Sequence, residues 1–319
     1  MSFSISSSFV TSPIVALGAT LPNPLTDTGF ARDAHGTDPQ WTLDTDLAEL
    51  SKDVYGGPGT GPIGDGEWTP VDQATLSEAG IYPTDLVDPD TGFQAAVYAN
   101  EEGQVVVAFA GTDGLNFDDW LANAQEAGGF DSGQYNQAIA LGEKVTAAFG
   151  KQNVVFTGHS LGGGLATAAA LATDSPAVTF NSAGVGPETL DQLGLSHGDA
   201  SDTASDGLVR RYNVENDFLT NIQEGTGWAN ALPDYLPGGD SPLADALGYE
   251  ITLENPDLFE GNPKDAHGIG TVLDAIHSRD IKSQDDDNLF DRFTDHNLIP
   301  GGPSAEDLWE TGKGLFGFG

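Results

Sequence analysis

The stretch Phe156-Thr157-Gly158-His159-Ser160-Leu161-Gly162-Gly163-Gly164 contains the pattern G-x-S-x-G, which in its strongest setting holds a serine hydroxyl on a sharp turn between a strand and a helix. The chemistry open to such a serine is acyl transfer, provided a base and a carboxylate reach it from elsewhere in the chain. The pattern alone says little, because a chain with 42 glycines throws up a chance match in about one such sequence in three. A second match, Gly194-Leu195-Ser196-His197-Gly198, makes the point. Flanking sequence separates them. Asn153 to Thr157, NVVFT, reads as a short buried strand and Ser160 to Ala172 as an alanine-rich helix, so strand, turn and helix are in register around Ser160. Gly158 and Gly162 are then required on steric grounds, since side chains there would strike the neighbouring strand or helix. Ser196 lies in polar sequence between a short helix and the loop GDASDTASDG, with neither flank.

Elbow enzymes of this kind place their groups in the chain order serine, carboxylate, histidine. Asp217 follows the β-rich run LVRRYNV, Leu208 to Val214, after the turn Glu215-Asn216, and so belongs at the end of the sheet where Ser160 emerges. Asp202 and Asp206 precede that run and belong at the far edge, and Asp234 has no strand before it. Chain order discounts His35, His159 and His197, and the His159 side chain is expected to point away from the serine. Of the remaining histidines, His267 is preferred, because the glycine-rich DAHGIG before the apolar helix Ile269 to Ile276 leaves its ring free to reach over the sheet. His277 ends that helix and complements its dipole; His296, in an acidic tail, is the alternative base.

The elements that must position these residues alternate. Phe93 to Tyr98 and Gln104 to Phe109 form a hairpin about Asn100-Glu101-Glu102-Gly103, and Tyr135, Ala138, Ile139, Gly142, Val145 and Phe149 line one helical face ending at Gly150. Ala177 to Asn181 is a further strand, and Asp44 to Tyr55 a helix capped by Asp44 or Thr45. Strands alternating with helices predict a mostly parallel sheet covered on both faces. Residues 1–40 read as an extended amino-terminal segment, 41–285 as the catalytic domain, and 286–319 as an acidic and apolar extension that ends in LWETGKGLFGFG.

Composition limits the partners. Eleven basic residues against 49 acidic ones give a formal charge of -38, and the basic residues never gather beyond a pair. No surface invites nucleic acid, and electrostatic docking on anionic lipid is disfavoured. Cysteine is absent, which removes disulfides, thiol catalysis and thiolate metal sites. Acidity without cysteine suits an exported bacterial protein and equally a halophile's cytoplasmic one. The amino terminus has no basic residue before Arg32 and makes a poor secretory signal peptide. No run of apolar residues is long enough to span a membrane. Asp285-Asp286-Asp287-Asn288 lacks the glycine and spacing of a calcium loop, so the case for calcium is weak; no metal site is assigned and no cofactor is required.

Three stretches carry a family resemblance: VVVAFAGTDGLNFDDWLAN at 105–123, VVFTGHSLGGGLATAAAL at 154–171 and AVTFNSAGVGPETL at 177–190. Together they resemble the class 3 lipases of the α/β-hydrolase fold, over roughly residues 92–280. One departure is Ala110, where that family often has arginine. The resemblance implies that Thr112 is the oxyanion-hole residue and that Leu161 supplies the backbone N–H after the nucleophile. A cap at Asn116 would align Phe117, Trp120, Leu121 and Ala124 on one helical face. In class 3 lipases this position is a lid over the acyl site, so residues 114–127 are expected to be a lid and Phe117, Trp120 and Leu121 to meet substrate; a helix packed permanently on the core is the other reading. Size, lack of cysteine and the motif set further resemble the secreted enterobacterial phospholipases A1. That likeness implies cleavage of the sn-1 ester of glycerophospholipids at a membrane surface, export by a flagellar-type apparatus without a cleavable signal peptide, and an accessory protein protecting the producing cell. A triacylglycerol lipase or short-chain esterase is the nearest alternative, and a non-hydrolytic membrane-active or partner-binding protein on the same scaffold a more distant one.

Overall fold

The computed structural model describes residues 27–59, 61–112, 132–224, 243–256 and 263–279. Among them eight strands form one sheet: β1 (Thr69–Pro70), β2 (Val87–Asp88), β3 (Phe93–Ala99), β4 (Val105–Phe109), β5 (Val154–His159), β6 (Ala177–Phe180), β7 (Val209–Val214) and β8 (Tyr249–Leu253). The spatial order is β1-β3-β4-β5-β6-β7-β8, with β2 on β3. The pairs that involve β3 are antiparallel, and β4 through β8 run parallel. A largely parallel sheet with helices on both faces is what the alternating pattern predicts, and it fits the α/β-hydrolase fold that the family resemblance implies.

Both faces are apolar because the central strands carry apolar side chains on both sides. Pleating sends Val105, Val107 and Phe109 of β4 to one face, with Val154 and Phe156 of β5. There they meet Tyr135, Ala138, Leu141 and Val145 of the helix Ser132–Phe149, and Leu165 and Ala169 of the helix Leu161–Thr173. Val106, Ala108 and Val155 face the other way, onto Leu47 and Leu50 of the helix Trp41–Asp53 and Val272 and Ile276 of the helix Ile269–Ser278. Each valine, leucine, isoleucine or phenylalanine among them, once fully buried, contributes about 1.5–3 kcal/mol of transfer free energy.

Three local expectations are revised. The helix predicted to be capped by Asp44 or Thr45 begins at Trp41, and Asp44 lies inside it, fully buried. Asp44 instead accepts from Arg210 Nη2 at 2.6 Å, Arg210 Nε at 3.2 Å and the Tyr212 hydroxyl at 2.5 Å. From inside the first turn Asp44 also accepts from the Gln40 N–H at 2.7 Å, so one buried carboxylate serves both the cation and the helix start. Within the segment read as extended, Phe30–Ala34 is a short helix whose Phe30, Ala31 and Ala34 are buried, and Arg210 Nη1 donates to the carbonyls of Ala34 and Gly36. The sequence GDASDTASDG, read as a loop, carries most of the helix His197–Thr203, because Ser196 caps it by accepting from Asp199 N–H.

Candidate active site

The turn at Ser160 is forced by its neighbours. Strand β5 ends at His159 and the helix begins at Leu161, which leaves Ser160 to reverse the chain with φ 58° and ψ −128°, a conformation costly for a residue with a side chain. The flanking glycines permit it. A Cβ on Gly158 would fall on the carbonyl of Gly162, and a Cβ on Gly162 on the carbonyl of Phe109. The turn is held by main-chain bonds: Ser160 N–H donates to Phe180 O at 3.0 Å, and Ser160 O accepts from Gly163 N–H and Ala183 N–H, each at 2.9 Å.

His267 and Asp217 reach this turn from the ends of separate elements. Ser160 Oγ lies 2.8 Å from His267 Nε2, and His267 Nδ1 lies 2.7 Å from Asp217 Oδ1. Asp217 follows β7 and caps the helix Phe218–Gln223, so its Oδ2 accepts from Thr220 N–H at 2.8 Å and from the Thr220 hydroxyl at 2.7 Å. The group is shielded from water: Ser160 is 2% exposed, Asp217 1% and His267 7%. Burial pushes the Asp217 carboxyl up, but the His267 ring and the hydrogen bonds from His267 and Thr220 more than offset this and hold it below the usual carboxylate range. Such a chain can draw a proton from a hydroxyl and hold the resulting imidazolium against a fixed negative charge.

The oxyanion candidates border the same turn. Leu161 is the first helical residue, so its N–H has no acceptor within the helix. Phe109 at the end of β4 pairs with Gly158, and Gly111 lies against the elbow, a Cβ there falling 3.2 Å from Ser160 Cβ. Thr112 follows directly. The other sequence candidates lie apart from this group. Ser196 is exposed, with its hydroxyl 2.6 Å from Asp199 Oδ2, and His277 is exposed in the last turn of its helix. Phe117, Trp120, Leu121, Asp234, His296 and Asp285 to Asn288 fall outside the described residues. Among the described residues no cluster of His, Asp or Glu is arranged to hold a metal ion.

His159 and three residues that the sequence does not single out, Tyr55, Asn181 and Thr220, complete the surroundings. His159 points away from the serine, its Nδ1 2.8 Å from the Tyr55 hydroxyl and its Nε2 2.6 Å from the His267 carbonyl oxygen. Asn181, just after β6, donates from Nδ2 to Ala266 O at 2.9 Å and His267 O at 3.2 Å. Thr220 was within reach of the sequence, since aspartate followed three residues later by a hydroxyl donor is a helix-start spacing. Tyr55 and Asn181 act across long separations and leave no local signal.

Comparison with known proteins places the chain among phospholipases. A family model described as "Phospholipase-like: Tle-like phospholipase domain" matches residues 46–251. An "Extracellular phospholipase A1" from Serratia liquefaciens is 42% identical over 241 residues, spanning 72% of this chain and 69% of that protein. Among solved structures, a mutant form of MDLA from Penicillium cyclopium is 15% identical with a TM-score of 0.39, covering 72% of this chain and 83% of the other. The family model spans well over half of the chain, including Ser160 and Asp217, and the Serratia relative is 42% identical, so the chain belongs to the Tle-like phospholipase domain family.

Proposed function

We propose that this chain is a serine phospholipase A1 that works outside the cell, cleaving the sn-1 acyl ester of glycerophospholipids. The observation that carries the proposal is the unbroken hydrogen-bond chain from Ser160 through His267 to Asp217 at a helix start. Family membership and the name of the Serratia relative supply the substrate class. An intact chain of this kind has no purpose in a purely binding protein.

In the scheme, His267 Nε2 takes the Ser160 proton as Oγ bonds to the ester carbonyl carbon, and the carbonyl electron pair moves onto oxygen. That oxyanion meets the Leu161 N–H and Thr112. Asp217 keeps the imidazole in the tautomer whose Nε2 is free and stabilises the imidazolium. Collapse expels the lysophospholipid alkoxide, which takes the proton from Nε2 and leaves an acyl-serine. Water, deprotonated by the same nitrogen, releases the fatty acid and restores Ser160. No step calls for a cofactor. Phe117, Trp120 and Leu121 supply the apolar contact through which so acidic a protein meets lipid.

A phosphatidylcholine with different acyl chains at the two positions tests the reading. The wild type should release the sn-1 chain, Ser160→Ala should release none, and Ser196→Ala should match the wild type. Release from the sn-2 position, or hydrolysis by Ser160→Ala, would overturn it, and faster turnover of triacylglycerol or a short-chain ester would move the assignment to those substrates.

A further inference from the structure

The segment that carries His267 is held by its main chain. The His267 carbonyl oxygen faces His159 Nε2 at 2.6 Å and Asn181 Nδ2 at 3.2 Å. A carbonyl oxygen has no proton to give, so His159 Nε2 carries one, and its Nδ1 is the lone pair that accepts the Tyr55 hydroxyl at 2.8 Å. Burial, and secondarily the neighbouring His267 ring, pull His159 down to about 3, so it stays neutral and its tautomer does not switch near neutral pH. The same three side chains touch the other parts of the site. Asn181 Oδ1 accepts from Val214 N–H at 2.9 Å, at the end of the strand that leads to Asp217. Tyr55 borders Gly111, where a Cβ would meet the Tyr55 hydroxyl as well as His159 O at 2.8 Å.

We propose that His159 is a positioning residue for the reaction: with its tautomer set by the His267 carbonyl, its ring held by the Tyr55 hydroxyl and Asn181 as a second donor, it fixes that carbonyl so that the His267 imidazole stands between Ser160 and Asp217. The inference rests on the serine-hydrolase reading above. A base displaced by about 1 Å loses on the order of a hundredfold in rate, which makes anchorage of its backbone worth two buried donors.

The test compares His159→Leu, which has no donor, with His159→Gln, which keeps an N–H, and with Tyr55→Phe, which loses one oxygen. For each, kcat and KM on a soluble short-chain ester are read beside the folded fraction from near-ultraviolet circular dichroism. The downfield proton resonance of His267 Nδ1–H is followed as well. His159→Leu should lower kcat by about 30-fold or more with KM nearly unchanged and should shift the resonance, and His159→Gln should come back to within about fivefold of the wild type. Tyr55→Phe should lower kcat by about fivefold and move the resonance in the same direction. Equal losses in the leucine and glutamine variants would overturn the proposal, as would a loss confined to the folded fraction or a Tyr55→Phe that moves neither kcat nor the resonance. If His159→Leu fails to fold, Tyr55→Phe decides by those two readouts. Ser160→Ala in the same assay separates the levels: residual hydrolysis there defeats the hydrolase reading itself, whereas an inactive Ser160→Ala beside an insensitive Tyr55→Phe defeats this inference alone.

Discussion

Asp217 and Thr220 are joined twice through one oxygen. Both the N–H and the hydroxyl of Thr220 donate to Asp217 Oδ2, at 2.8 and 2.7 Å, which leaves Oδ1 to face His267. This sharpens the expected effect of Asp217→Asn. Two donors at the Oδ2 position demand the amide oxygen there, so the amide NH2 turns toward His267 Nδ1 and forces the ring to carry its proton on Nε2, where it can no longer accept from Ser160. The rate of ester hydrolysis should fall by about three orders of magnitude or more, with folding retained. Adding Thr220→Val removes the hydroxyl donor but keeps the Thr220 N–H, which still demands the amide oxygen, so the double variant should be no faster than Asp217→Asn; a substantial recovery would count against the tautomer argument.

The pH dependence of stability has a definite sign. His159 titrates at about 3 in the folded protein against an ordinary 6.5, so between these values the unfolded chain binds more protons. Its contribution is fully present above about pH 6.5 and is lost progressively as pH falls toward 3. Asp217, held below its ordinary value, adds stability that is present above the usual carboxylate range and lost as pH falls through its folded value, which is the same direction. Urea unfolding across this range should therefore show steadily declining stability on acidification. His159→Gln should decline less steeply, by up to one proton's worth of slope; identical slopes would mean that His159 is not the group that takes up the proton.

The two G-x-S-x-G matches give a matched steric pair. A Cβ on Gly162 falls on the Phe109 carbonyl and comes within 2.9 Å of Ala110 C, whereas one on Gly198 finds nothing nearer than Ser196 Oγ at 3.9 Å. Gly162→Ala must push the elbow helix off β4 and should cost about 1–3 kcal/mol of unfolding free energy, together with most of the activity. Gly198→Ala should be neutral or slightly stabilising. Comparable losses in chemical denaturation would show that packing at the elbow has slack.

Membrane contact is the place to test Trp120, which a helix capped at Asn116 would align with Phe117 and Leu121. Burying a tryptophan side chain in the interface is worth about 2–3 kcal/mol, or one to two decades in partitioning. Trp120→Ala should therefore weaken hydrolysis of phospholipid vesicles about tenfold or more while changing a soluble short-chain ester less than about threefold. With a formal charge of -38, the wild type should also prefer zwitterionic over anionic vesicles at low salt. Equal losses on both substrates would assign Trp120 to the fold or the acyl pocket.

What the sequence makes legible is whatever is written locally. The β5-turn-helix unit around Ser160 is visible because apolar run, glycines and alanine-rich helix are contiguous, and Asp217 because it directly follows the end of β7. Chain order narrows the base to His267, His277 and His296, the glycine-rich DAHGIG before an apolar helix singles out His267, and the three side chains are joined by hydrogen bonds. What escapes is set by distant partners. Tyr55 and His159 are separated by 104 positions, and Asn181 and His267 by 86. Asp44 misleads for the same reason, since a helix-start aspartate and a buried ion-pair aspartate look alike until Arg210 is placed beside it.

The pair Asp44–Arg210 also orders the making of the protein in time. Its partners stand 166 residues apart, so a ribosome finishes Trp41–Asp53 long before β7 supplies the guanidinium. Docking that helix early would bury a carboxylate without a counterion, at a cost of about several kcal/mol. Nascent chains that stop short of Val209 should leave Trp41–Asp53 open to protease, and early protection would show that the cation is dispensable for docking. The carboxylate that secures the finished domain is thus expected, during translation, to delay docking of the helix that carries it.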